Sequence, residues 1–114
     1  MPILTITTNA TKSAFPKEDT VLALSKLVAK LTGKPESYVN VIINADAIIS
    51  FGGSAEPAAY VELASIGGFS NANSVAKALT DAVNQHLKVP KDRFYVKLTD
   101  VPASELAFRG QTFG

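Results

Sequence analysis

Apolar and polar positions change period along the chain, and each change marks an element. Residues 2–8 (PILTITT) alternate and are rich in β-branched side chains, which predicts a strand. Over residues 19–32 the spacing lengthens. Val21, Leu24, Val28 and Leu31 recur every three or four positions and predict a helix with one apolar face. Pro16 and the Glu18/Asp19 pair suit its entrance, where acids complement the helix dipole. Gly33 suits a left-handed residue after the last turn, and Pro35 prevents continuation. Tyr38–Asn44 (YVNVIIN) reads as a second strand, and residues 45–56 hold the apolar run AIISF and the turn GGS. The pattern then starts again. PAAYVELAS (57–65) reads as a strand, Gly67-Gly68 as a turn, and Ser70 or Asn71 as a cap for a helix over 72–88. Val75, Leu79, Val83 and Leu87 stripe that helix, and Pro90 ends it. RFYVKLT (93–99) predicts another strand, and ELAF a short one near the C-terminus.

The restart is a repeat with an offset of 55. Pro2 falls on Pro57, Leu24 on Leu79, Val28 on Val83, Pro35 on Pro90 and Val41 on Val96. Two β-α-β units in matched order predict an α+β fold, with a four-stranded sheet and both helices on one face. Neither unit could bury its apolar faces alone. The expectation is one domain over residues 1–114, with half-repeats at about 2–56 and 57–114.

Composition narrows the chemistry. The chain is 46% hydrophobic and 18% charged, which fits a globular domain, and the generous apolar share points to a subunit interface. Net charge is +1 with no basic block, so no nucleic-acid partner is expected. With no cysteine and one histidine, His86, thiol chemistry is excluded and no metal site is expected. His86 reads as a surface residue or a partner of a helix C-terminus. No apolar run is long enough to span a membrane and no signal peptide is evident, so a cytoplasmic location is expected, with non-classical secretion left open. The glycine pairs at 52–53 and 67–68 match no phosphate or dinucleotide fingerprint, and no cofactor is expected.

Pro2 is unusual at the head of a strand, because its ring fixes φ and its nitrogen normally has no hydrogen to donate. Its counterpart Pro57 lies mid-chain and is structural. Pro2 differs in the bond before it. Methionine aminopeptidases remove Met1 when the second residue is small, and Pro2 would then carry a free secondary amine. Burial and nearby cations lower an amine's pKa, and a neutral amine near pH 7 is a usable general base.

Several stretches in order along the chain carry a resemblance: the MP start, TGKP (Thr32–Pro35), FGGS followed by EP (Phe51–Ser54, Glu56–Pro57), SIG (Ser65–Gly67), DRFY (Asp92–Tyr95) and QTF (Gln111–Phe113). Over its whole length the chain resembles the macrophage migration inhibitory factor family of the tautomerase superfamily. The resemblance implies a homotrimer of β-α-β-β-α-β subunits with pockets between them and the N-terminal proline as base. It also implies phenylpyruvate tautomerase activity on small aromatic 2-oxo acids, and isomerisation of dopachrome derivatives.

Residue by residue, Pro2 matches the base and Lys34 the cation that holds the substrate carboxylate. Ile66 matches a pocket residue and Tyr95 the phenol from the neighbouring subunit. Leu106, Phe108 and Phe113 match apolar walls. On a strand, Arg93, Tyr95 and Lys97 share one face while Phe94, Val96 and Leu98 share the other. Tyr95 and Lys97 can therefore point together into a site.

Two departures bear on function. Better-known animal members have asparagine where Lys97 stands and tryptophan where Phe108 stands. Lys97 either adds a second cation to the pocket or points away from it. Those members also have a CxxC after the EP proline. Here the stretch is Ala58-Ala59-Tyr60-Val61, and the thiol–disulfide activity proposed for that motif is excluded. The sequence leaves an alternative in a cytokine-like, receptor-binding protein without a required catalytic role, and a third reading in a trimeric scaffold whose pocket is a relic.

Overall fold

In a computed structural model describing residues 1–114, the two predicted units are present and interlock. Strand β1 (Ile3–Thr8), helix α1 (Lys17–Thr32) and strand β2 (Asn40–Asn44) form the first. Strand β3 (Ala59–Ile66), helix α2 (Ala72–Leu87) and strand β4 (Phe94–Val101) form the second. Within each unit the strands are parallel, and β1 runs antiparallel to β3, giving the order β2-β1-β3-β4. The two inner strands are thus the first strands of the two repeats, and β2 and β4 are free edges.

Alternation decides the two faces. Leu4, Ile6, Val61 and Leu63 point to the helices and are buried. From the helices Leu24, Val28, Val75, Leu79, Val83 and Leu87 meet them in one cluster. The predicted stripe of α2 is buried at all four positions, and that of α1 at Leu24 and Val28, with Leu31 packed against the cluster. The opposite face of the sheet has no cover. Ile42, Tyr60 and Tyr95 stand on it exposed, and Ile48 in the β2–β3 connection is fully exposed. No helix is long and apolar enough to cross a membrane.

Boundaries differ from the sequence reading where local geometry intervenes. Helix α1 begins at Lys17, directly after Pro16, so its acids fall in the first turn. Gly33 takes the left-handed conformation at φ 69° and donates its N–H to the Ala29 carbonyl. Asn71 precedes α2, yet makes no side-chain cap bond. Helix α2 ends one residue early because Lys88, not a glycine, adopts φ 61°. Residues 36–38 form a 3₁₀ turn rather than the start of β2. Pro57 is exposed and lies two residues before β3, whereas Pro2 is fully buried. Of ELAF only Ala107–Phe108 is a strand (β5), and it pairs with an unpredicted strand β6 (Gln111–Thr112).

Candidate functional site

Burial of Pro2 follows from its place at the head of an inner strand. Its carbonyl accepts the Asn40 N–H at 3.0 Å, which ties the N-terminus to the start of β2. Beside it lies an apolar cavity of about 340 Å³, lined chiefly by Met1, Ile3, Tyr38, Leu106, Phe108 and Phe113. Met1 and Ile3, the residues on either side of Pro2, line this cavity, and Pro2 itself does not.

The cavity's wall is built by the C-terminal tail. Arg109 (φ 57°) and Gly110 (φ 83°) both take left-handed angles, the signature of a two-residue type I′ turn joining β5 to β6. Phe113 N–H then donates to the Leu106 carbonyl at 3.0 Å. This folds Phe108 and Phe113 into a stack, with planes 9° apart and centroids 6.4 Å apart. Tyr38 meets both rings edge-on, at 5.7 and 6.2 Å. Tyr38 is the one aromatic lining residue that sequence reasoning missed; Met1, Ile3, Ser37, Asn40 and Ala107 also line the cavity without having been expected there. The signal of Tyr38 was present, three residues past TGKP, but it was read as part of a strand.

Electrostatics at the terminus have one sign. Burial first, and the Lys34 ammonium second, hold the terminal amine below its ordinary value. Lys34 follows the left-handed Gly33, and its N–H reaches Thr32 Oγ1 at 3.4 Å, which fixes the loop that carries it. Ile66 ends β3. The β1–β3 register, in which Ile3 faces Ala64, places Ile66 one residue beyond the level of Pro2. Of the residues expected at the site, Leu106, Phe108 and Phe113 line the cavity, whereas Pro2, Lys34 and Ile66 lie near the N-terminus without lining it.

Tyr95 and Lys97 are elsewhere. Both face outward from β4 on the uncovered side of the sheet, while Phe94, Val96 and Leu98 pack toward the core. Tyr95 is level with Tyr60 and so with Thr7; Lys97 is level with Glu62 and so with Thr5. At roughly 3.3 Å per residue and 4.8 Å per strand, their Cα atoms lie about 19 and about 14 Å from that of Pro2. Neither side chain spans that distance within one chain. Arg93 lies against the Phe51 ring, as Tyr95 does. It precedes β4, and its guanidinium turns into the 51–57 loop.

The whole chain, residues 1–114, matches the family model described as macrophage migration inhibitory factor. It is 43% identical to the macrophage migration inhibitory factor homolog of Brugia malayi across the full length of both chains. It is 40% identical to the macrophage migration inhibitory factor of Xenopus laevis across 99% of each. The fold superposes on macrophage migration inhibitory factor from Trichinella spiralis with a TM-score of 0.93, at 38% identity, covering 97% of this chain and 99% of that one. On the homologue from Prochlorococcus marinus the TM-score is 0.88, at 34% identity, covering 98% and 99%.

Proposed function

The chain belongs to the macrophage migration inhibitory factor family, and from that premise we propose that it is a keto–enol tautomerase of small aromatic 2-oxo acids such as phenylpyruvate, with Pro2 as general base. The observation that carries this reading is the setting of Pro2. It is buried, pinned through its carbonyl to Asn40, and flanked by Met1 and Ile3, which both line an apolar cavity. Loss of Met1 converts an amide nitrogen with no hydrogen into a secondary amine at the cavity wall. The influences that lower the terminal amine's pKa there would act on that amine and keep a useful fraction neutral.

The chemistry needs no cofactor. The neutral amine takes a proton from the carbon next to the keto group. The electron pair of that C–H bond becomes the new C=C, the carbonyl oxygen takes a proton from solvent to give the enol, and the protonated amine releases its proton to solvent. The reverse sequence returns the keto form. Lys34 holds the carboxylate and offsets the charge that grows on oxygen. The Tyr38–Phe108–Phe113 walls take the aryl ring. A positioned base contributes on the order of 10²–10⁴ in rate.

Tyr95 and Lys97 serve the pocket of a neighbouring copy in a homotrimer, working in the cytosol. Their distance from Pro2 within one chain and the uncovered sheet face support this assignment. The test is phenylpyruvate tautomerisation by the wild type and by Pro2→Gly, with intact mass confirming loss of Met1. Equal rates in the two proteins would refute the mechanism. A wild type without turnover would leave the receptor-binding alternative.

A further inference from the structure

Arg93 makes more polar contacts than any other side chain, and none is to an acid. Its Nε donates to the Pro57 carbonyl at 2.9 Å and Nη1 to that of Phe51 at 2.9 Å. Nη2 donates to the carbonyls of Ser54 at 3.1 Å and Glu56 at 3.0 Å. Four of the five guanidinium N–H groups are thereby used on one loop. The loop has other bonds as well: Glu56 N–H donates to Ser54 Oγ, and Ala58 N–H to Asn9 Oδ1. Phe51 and Ser54 exchange a pair of backbone bonds, and the Asn9 amide reaches Ala55 and Glu56. The guanidinium also lies 5.6 Å from the centre of the Phe51 ring. The Phe51 ring in turn meets that of Tyr95, with centroids 5.2 Å apart at 52°. Tyr95 is 70% exposed, and Phe51 is the one aromatic ring it pairs with in the chain.

We infer that Arg93 is a positioning residue, which fixes Tyr95 through the 51–57 loop and Phe51 and so sets how tightly an aryl substrate is held. The inference rests on the proposed tautomerase reading for its kinetic consequence, but not for its structural one. A guanidinium has enough N–H groups to donate to all four carbonyls at once, and a lysine ammonium, with three, has not. Lysine keeps the charge at this position yet cannot hold the loop. A freed loop lets Phe51 leave Tyr95, whose phenol then samples several rotamers. Substrate and transition state lose the same contact, so the effect falls on KM rather than kcat.

The experiment compares wild type, Arg93→Lys, Phe51→Leu, Phe51→Tyr and the Arg93→Lys/Phe51→Leu double variant. The readouts are the NMR signal of the Tyr95 ring in protein with labelled tyrosine, and KM for phenylpyruvate. Phe51→Leu keeps every guanidinium bond, because the acceptor at that position is main-chain. It therefore reports even if Arg93→Lys fails to fold. Arg93→Lys and Phe51→Leu are each expected to move the Tyr95 signal and raise KM about two- to tenfold, the loss of roughly one aromatic contact, with kcat nearly unchanged. The double variant should be no worse than Phe51→Leu, and Phe51→Tyr should match wild type. A Tyr95 signal left in place by Arg93→Lys overturns the inference whatever the kinetics. So does an unchanged KM in both single variants of an active enzyme. An inactive wild type refutes the tautomerase reading instead, and the Tyr95 signal still decides the role of Arg93.

Discussion

The pocket wall hangs on one turn, and Gly110→Val tests it. Gly110 has φ 83°, and a Cβ there would meet no heavy atom within 4 Å. The substitution therefore introduces backbone strain without a clash. A left-handed residue other than glycine costs about 1–2 kcal/mol. The β5–β6 hairpin has two strand pairs and one further main-chain bond, from Phe113 to Leu106. Such a hairpin has little stability of its own. It is held against the body by two aromatic contacts, Tyr38 to Phe108 and Tyr38 to Phe113, each worth about 0.5–1.5 kcal/mol. The strain is thus comparable to the reserve. By the rule of 1.4 kcal/mol per factor of ten, the closed tail should lose about 5- to 30-fold in its closing equilibrium. Hydrogen exchange at the Phe113 amide should quicken by that factor, and KM for phenylpyruvate should rise toward it. Gly110→Asn should do markedly less harm, since asparagine tolerates this conformation. Unchanged exchange and KM in Gly110→Val would refute the reasoning. An asparagine variant as impaired as the valine one would do so as well, by implicating the side chain rather than φ.

Other outcomes follow from the same geometry. Lys34→Ala removes a cation that holds the terminal amine's pKa down, so that pKa should rise and the ascending limb of the kcat/KM–pH profile should move to higher pH. A limb that moved to lower pH would contradict the assignment of Lys34. Leu24→Ala should cost about 2–5 kcal/mol in urea unfolding, because Leu24 is fully buried between helix and sheet. Pro2→Gly and Tyr95→Ala chains, each impaired alone, should regain about a quarter of wild-type activity when refolded together. That is the fraction of pockets in a mixed ring drawing Pro2 and Tyr95 from undamaged chains; no recovery would place both residues in one chain's pocket.

The parts legible in the sequence are those with long, unbroken periodicity. Val75, Leu79, Val83 and Leu87 announce both the existence of α2 and its buried face. Alternation in PILTITT and YVELAS announces the two central strands. What escaped is short or remote. Two-residue strands such as Gln111–Thr112 are below any period, and only the Arg-Gly step marks the turn before them. Tyr38 sits beside a real strand but belongs to a 3₁₀ turn that Pro35 initiates, so alternation assigned it to the wrong element. Arg93 shares a neighbour with Tyr95, the Phe51 ring, but its four carbonyl partners lie 36 to 42 residues earlier in the chain, beyond the reach of any local pattern. The separation of Tyr95 from Pro2 depends on strand order, which no local pattern encodes.

The free edges of the sheet carry a cost for a solitary subunit. Strands β2 and β4 each leave a row of main-chain donors and acceptors unmatched along one side, next to a face on which Ile42, Tyr60 and Tyr95 stand exposed. Edges of this kind are templates for indiscriminate pairing, and β2 (NVIIN) has no charge to discourage it. A newly made chain is therefore safest when it meets its own kind quickly. Its resistance to heat and to aggregation should rise together with its concentration, the opposite of what ordinary precipitation-prone proteins do.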